Sequence, residues 1–189
     1  MHVGQLKEKH IFSSLLIILG IFVVDQFSKF LALHYLRPFR SIPVVGDFFR
    51  LTYVENRGMA FGIDIENKVL FNLISFLAVA IIIYYFYRFY HQKLFRISFA
   101  IILGGAAGNL WDRLLHGKVI DFLDFEFFDI HFSGGGLLFW QFPSYTLERW
   151  PVFNIADMAV TLGMILILIT TFIIPSSEPV LDNATREEI

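Results

Sequence analysis

The chain has 189 residues, of which 56% are hydrophobic and only 17% charged, and its mean hydropathy of +0.63 excludes an ordinary soluble domain. A formal net charge of -2 is too small to select nucleic acid or any other strongly charged partner. The absence of cysteine excludes disulfides, thiolate metal sites and a cysteine nucleophile, so any catalysis must use oxygen or nitrogen groups.

Four apolar runs, at about 11–36, 69–90, 94–115 and 153–174, each reach the roughly 20 residues that a bilayer crossing needs. They predict a single membrane domain over 1–175 with four transmembrane helices, followed by an acidic, disordered tail over 176–189. The first run follows Lys7 and Lys9 as a signal peptide would, but Asp25 and Gln26 stand where a small-residue cleavage site belongs, so it reads as an uncleaved helix. The first loop, 36–68, carries Pro38, Pro43, Gly46, Gly58 and Gly62, and its stretch Phe48 to Val54 has strand propensity, predicting a small sheet beside the membrane. Helix two ends in the aromatic and basic belt Tyr84 to Tyr90. A tight turn at His91 to Lys93 then returns the chain. In helix three, Gly104 and Gly108 are four apart, which suits either close helix approach or loose packing. The second loop, 117–150, is long, rich in Phe and Trp and broken by Gly134 to Gly136; it is expected to lie on or dip into the membrane interface. Pro151 precedes helix four. Asn183-Ala184-Thr185 matches a glycosylation sequon of the kind that chance produces in tails.

With four crossings, Lys7, Lys9, Arg88, Lys93, Arg96 and Arg186 share one side, and Arg37, Arg40, Arg50, Arg57, Lys68, Arg113, Lys118 and Arg149 the other. The raw count favours the second group as cytoplasmic. Density favours the first, because Arg88, Lys93 and Arg96 crowd one short turn and short segments near helix ends weigh most.

Polar residues in or beside these runs are the chemical signal, since an ionisable group at helix centre costs about 2.5–3.5 kcal/mol to insert. Asp25 and Lys29 share a helix face and can neutralise each other, as a packing device or as part of a site. Asn109, Asp112 and Arg113 repeat the theme at the end of helix three, where a snorkelling cluster is the simpler reading. Asn154 and Asp157 suit an N-cap and a favourable first-turn charge. Their convergence on one side of the membrane, the side of both long loops, points to a shared site that also takes in Asn56 and Asp121. Two carboxylates brought close together hold one proton between them, so one can deprotonate water while the other donates to a peptide carbonyl. Asp121 and Asp157, at membrane boundaries, fit an aspartyl peptidase pair, with acid and base unassigned. None of the six His has zinc-protease spacing, Ser28 and Lys29 are adjacent and face apart, and no Gly-x-Ser-x-Gly elbow occurs. A small proton- or ion-coupled carrier with an Asp/Lys relay, or an inactive structural subunit, are the competing classes.

The blocks Asp25-Gln26-Phe27-Ser28-Lys29, Asn56 to Gly62, Gly104 to Arg113, Gly117 to Phe122 and Phe153 to Asp157 together resemble the ordered signatures of bacterial lipoprotein signal peptidase, or signal peptidase II. The resemblance implies an aspartic peptidase of the bacterial inner membrane that cleaves diacylglyceryl-modified prolipoproteins just before the lipidated cysteine. It implies Asp121 and Asp157 as the catalytic pair, and Asp25, Lys29, Asn56, Gly58, Asn109, Asp112, Arg113 and Asn154 as binding or supporting residues. It further implies no metal or cofactor, cytoplasmic termini, a periplasmic-side site with a β-cradle from the first loop, contact with membrane lipid, a monomer, and inhibition by the cyclic peptide globomycin. The 35 residues between Asp121 and Asp157 form a longer connection than the family's usual one, the excess being about 124–150. Loop length is thermodynamically cheap. The insertion bears on the lid and on substrate preference more than on activity.

Overall fold

The computed structural model describes residues 3–58, 68–126, 130–137, 140–142, 144–147 and 149–172. Its helices are α1 (Val3–Leu31), α2 (Lys68–Arg88), α3 (Lys93–His116) and α4 (Ile155–Phe172). Three described spans are long and apolar enough to cross a membrane: His10–Leu36, Lys93–His116 and Ile155–Phe172. In α2 the described apolar stretch is the shorter Asn72–Arg88. The expected tail, the sequon and Met59 to Gly62 lie outside the described residues.

The bundle is inside-out relative to a water-soluble protein. Phe12, Leu15, Leu16, Leu19, Val23 and Phe27 of α1 are exposed, whereas Asp25, Lys29, Asn109, Asp112 and Asn154 are buried. Apolar side chains suit contact with lipid, and polar ones are retained where protein satisfies them. The central helix is α3, packed against α1, α2 and α4. Its glycines permit this: a Cβ on Gly104 would come within 2.8 Å of Ile21 on α1, one on Gly108 would meet the Asp25 carboxylate, and one on Gly105 would strike the Ala156 carbonyl of α4. Close approach, rather than loose packing, is therefore what the Gly104/Gly108 spacing serves. Gly117 then ends α3 at φ 66, donating its N–H to the Arg113 carbonyl at 3.0 Å and turning the chain into a strand.

Helix α1 closes with a π-helical turn, Ala32–Leu36. Strands β1 (Ser41–Val45) and β2 (Phe49–Asn56) follow in the first loop, and β3 (Val119–Phe125) opens the second. They form one antiparallel sheet in the order β1-β2-β3. The first loop alone does not build the sheet: its third strand comes from the segment taken above as an irregular interfacial loop. The β2–β3 register pairs Val54 with Asp121, Glu55 with Ile120 and Asn56 with Val119. Alternation puts Asp121 and Asn56 on one face, and Glu55 and Ile120 on the other.

Further described stretches of the second loop are strand as well. Strands β4 (Ile130–Phe132) and β7 (Tyr145–Leu147) pair, and so do β5 (Gly135–Leu137) and β6 (Trp140–Phe142), as nested antiparallel pairs. The base of this hairpin is fastened to the sheet. Arg149 pairs with Asp124 at 2.9 Å and with Glu126, and donates to the Asp47 carbonyl. The Phe125 ring stacks on Phe49 and Phe153. Phe153 also bonds β3 directly, accepting from Leu123 N at 2.8 Å and donating to the Leu123 carbonyl at 3.1 Å. That bridge holds β3 against the start of α4.

Candidate active site

The site forms where α1, α3, α4 and β3 meet. At the head of α4, Asn154 Oδ1 accepts from Asp157 N at 3.0 Å, and Asp157 Oδ2 accepts from Asn154 N at 3.1 Å. This reciprocal box satisfies two N–H groups at the helix end, so the capping reading of the pair is correct. It does not exhaust them. The Asn154 amide donates to Asp121 Oδ1 at 2.7 Å and to Asn109 Oδ1 at 3.1 Å, while Asn109 Nδ2 donates to Asp157 Oδ1 at 2.8 Å. One asparagine therefore caps a helix, bonds one carboxylate by side chain and the other by backbone.

Asp121 is buried, and its second oxygen accepts from Asn56 Nδ2 at 2.9 Å. Asn56 is aimed by Gly58, whose N–H donates to Asn56 Oδ1 at 3.0 Å. Burial is the main cause that lifts the Asp121 carboxyl to a pKa of about 6; the nearby Asp157 charge adds to the rise, and the bonds from Asn56 and Asn154 oppose it. On the opposite face of the sheet, the Lys118 ion pair at 2.8 Å and the Tyr53 hydroxyl hold Glu55 below its ordinary range. Burial and that same bond raise Tyr53 to about 12.

Beneath the pair lies a buried ionic cluster. Lys29 Nζ is 2.7 Å from Asp25 Oδ2, 2.7 Å from Asp112 Oδ2 and 2.8 Å from Asn109 Oδ1. Asp25 Oδ1 accepts from Ala156 N at 2.9 Å, tying α1 to the first turn of α4. Arg113 is within electrostatic reach of Asp157, Asp121 and Asp112. All ten residues singled out in the sequence thus join one network. Gln26 belongs to it too, donating to Asp25, the Gly108 carbonyl and Asp112. Its only sequence signal is an amide beside Asp25 inside an apolar run. The remaining element that sequence reading missed is β3, whose pleat turns Asp121 inward and Ile120 outward.

The chain is similar to known proteins along most of its length. Residues 17–173 match the family model described as Signal peptidase (SPase) II. The lipoprotein signal peptidase of Pelodictyon phaeoclathratiforme is 39% identical over 155 residues, 81% of this chain and 86% of that protein. That of Moorella thermoacetica is 41% identical over 166 residues, 87% of this chain and 95% of that one. A solved structure described as a bacterial membrane enzyme superposes with a TM-score of 0.67 at 27% identity, covering 89% of this chain and 95% of its own.

Proposed function

The chain belongs to the signal peptidase II family, and on that premise we infer that it is a membrane peptidase that removes signal peptides from prolipoproteins. Asp121 and Asp157 are the catalytic pair. The observation that carries this reading is that two carboxylates from separate elements are joined through Asn154, with Asp121 holding a proton up to about pH 6. The ionised member takes a proton from water, the water oxygen bonds to the scissile carbonyl carbon, and the protonated member donates to the carbonyl oxygen. Collapse of that intermediate, with proton return to the leaving nitrogen, breaks the peptide bond.

Asn109 and Asn56 orient the pair without adding charge to a low-dielectric site. Lys29, placed between Asp25 and Asp112, offsets part of their charge and ties α1 to α3 beneath the pair. Arg113 steadies the loops and the surrounding carboxylates. The substrate is a prolipoprotein whose cysteine carries diacylglycerol, cut on the N-terminal side of that residue, with its acyl chains against exposed apolar helix faces. Helix α2, at 21 residues and about 1.5 Å per residue, is long enough for a fourth crossing, which would leave both termini on one side; the crowding of Arg88, Lys93 and Arg96 in one short turn supports the cytoplasm as that side, with the sheet and pair toward the periplasm. The protein works as a monomer of the bacterial inner membrane, a single domain over 1–175, and globomycin-type peptides inhibit it.

A carrier needs a relay through the bilayer, and the sequence interrupts one. No Asp, Glu, Lys, Arg or His lies between Ile11 and Val24 of α1, Ile97 and Gly108 of α3, or Met158 and Phe172 of α4. The test is cleavage of a purified diacylglyceryl-modified prolipoprotein by the detergent-solubilised protein, beside the unlipidated substrate and Asp121→Asn and Asp157→Asn. Cleavage before the modified cysteine, lost in both variants, is expected; wild-type turnover in either variant would remove that residue from the mechanism.

A further inference from the structure

Behind the sheet, on the face away from Asp121, lies a cavity of about 470 Å³ whose floor, Gln26, Lys29 and Asp112, is shared with the candidate site and whose walls are not. That volume falls in the range of ligand-binding cavities. Its walls divide by polarity. Phe30 and Leu33 of α1 and Ile120 of β3 make an apolar side, and Arg37, His116 and Lys118 stand at the ends of α1, α3 and the following turn. Two carboxylates also line it, and both are held. Asp112 pairs with Lys29, and Glu55 pairs with Lys118 at 2.8 Å while accepting from the Tyr53 hydroxyl at 2.9 Å. Arg37 is exposed and makes no ion pair within 4 Å among the described residues. His116 is exposed beside it on the cavity rim.

An apolar slot beside membrane-spanning helices, opening onto Arg37 and Lys118 with the His116 ring on the rim, matches the outline of an anionic amphiphile. We propose that this cavity binds one anionic phospholipid, its phosphate at Arg37, His116 and Lys118 and the start of an acyl chain along Phe30, Leu33 and Ile120. A lipid phosphate accepts charge-assisted hydrogen bonds from Arg and Lys, and a lipid of net negative charge complements the surplus cation at Arg37, because Glu55, the carboxylate near it, is already paired with Lys118. The floor of the cavity is also the floor of the active site. Lys29 and Asp112 line it, and Lys29 donates to Asn109, which in turn bonds Asp157. An occupant therefore presses on the cluster that orients one carboxylate of the pair.

The test reads binding, so its outcome does not depend on the peptidase reading. The full chain is placed in neutral phosphatidylcholine nanodiscs, and retention of phosphatidylglycerol is measured by native mass spectrometry against phosphatidylcholine and against inorganic phosphate. Selective retention of phosphatidylglycerol is expected. Arg37→Gln together with Lys118→Gln should weaken it about tenfold for each cation removed, the loss of one charge-assisted hydrogen bond to phosphate. Leu33→Trp, which fills the apolar side and leaves every charge in place, should abolish retention and keeps the test open if the double variant does not fold. Equal retention of phosphatidylcholine, unchanged binding in Leu33→Trp, or displacement by inorganic phosphate as effective as by lipid would each overturn the proposal.

Discussion

Replacing Lys29 by methionine tests the buried cluster most directly, because the side chain is nearly isosteric and only the ammonium disappears. That ammonium is 3% exposed and 2.7 Å from both Asp25 and Asp112. At an effective dielectric of about 20, each such contact amounts to about 6 kcal/mol of Coulomb attraction, most of it offset by the desolvation of three ions. The measurable quantity is what remains when one partner goes: two buried carboxylates deprived of the ammonium they share, worth about 3–5 kcal/mol. For a chain of this size that corresponds to a Tm lowered by roughly 6–20 °C in detergent. The companion variant Lys29→Met/Asp25→Asn/Asp112→Asn removes all three charges and keeps the shapes, so it should recover most of the lost stability. Activity should recover only in part, since Asn109 Oδ1 keeps the Asn154 amide but has lost the shorter of the two bonds that hold its amide toward Asp157. The assay is thermal unfolding of the purified variants beside prolipoprotein cleavage. A single variant within 1 kcal/mol of wild type, or a triple variant no more stable than the single, would refute the reasoning.

The Asp121 carboxyl, raised from 3.8 to about 6, makes the folded state bind a proton that the unfolded chain releases. That contribution to stability is full below about pH 4 and is lost as pH rises through about 6, amounting to at most ~3 kcal/mol. Asp121→Asn should therefore gain stability relative to wild type between pH 4 and pH 7, as thermal unfolding at both values will show. If the singly protonated pair is the active form, kcat/KM of the free enzyme should fall on an alkaline limb beginning near pH 6. Gly108→Ala should displace the Asp25 carboxylate from Lys29 and Ala156, costing about 1–3 kcal/mol together with activity. Gly20→Ala, with open space around its Cβ, should be neutral or stabilising by up to ~1 kcal/mol in the same unfolding assay. Arg149→Ala should change Tm little, because the pair it breaks is partly exposed, yet increase proteolytic nicking between 126 and 149 by releasing the hairpin base.

The helices were legible because membrane insertion imposes a one-dimensional rule: about 20 apolar residues in a row, interrupted only where a polar group has a use. The same rule exposed the site. Asp25, Lys29, Asn109, Asp112, Asn154 and Asp157 stand out because hydrocarbon penalises each unless it finds a partner, and in the structure the partners are one another. Asp121 was legible as a carboxylate at a membrane boundary, but not as a residue of a strand. Its apolar neighbours Val119, Ile120 and Phe122 read equally well as loop, and a strand of seven residues needs a partner before it exists. That partner is β2, more than sixty residues earlier in the chain. The hairpin from 130 to 147 was missed for a related reason: its Phe, Trp and triple Gly carry no period, and only cross-strand hydrogen bonds give them a register.

By itself the sequence determined the solvent of each segment, since transfer between water and hydrocarbon is a sum over residues and requires no knowledge of neighbours. The tertiary structure decided which atoms meet. Lys29 chooses Asp112 as well as Asp25, Gln26 joins the cluster, and Asn154 serves both carboxylates because α1, α3 and α4 approach across glycines that a sequence pattern marks as small but cannot pair. Distances between side chains on separate elements depend on how helices and sheet pack, and packing is a property of the whole chain.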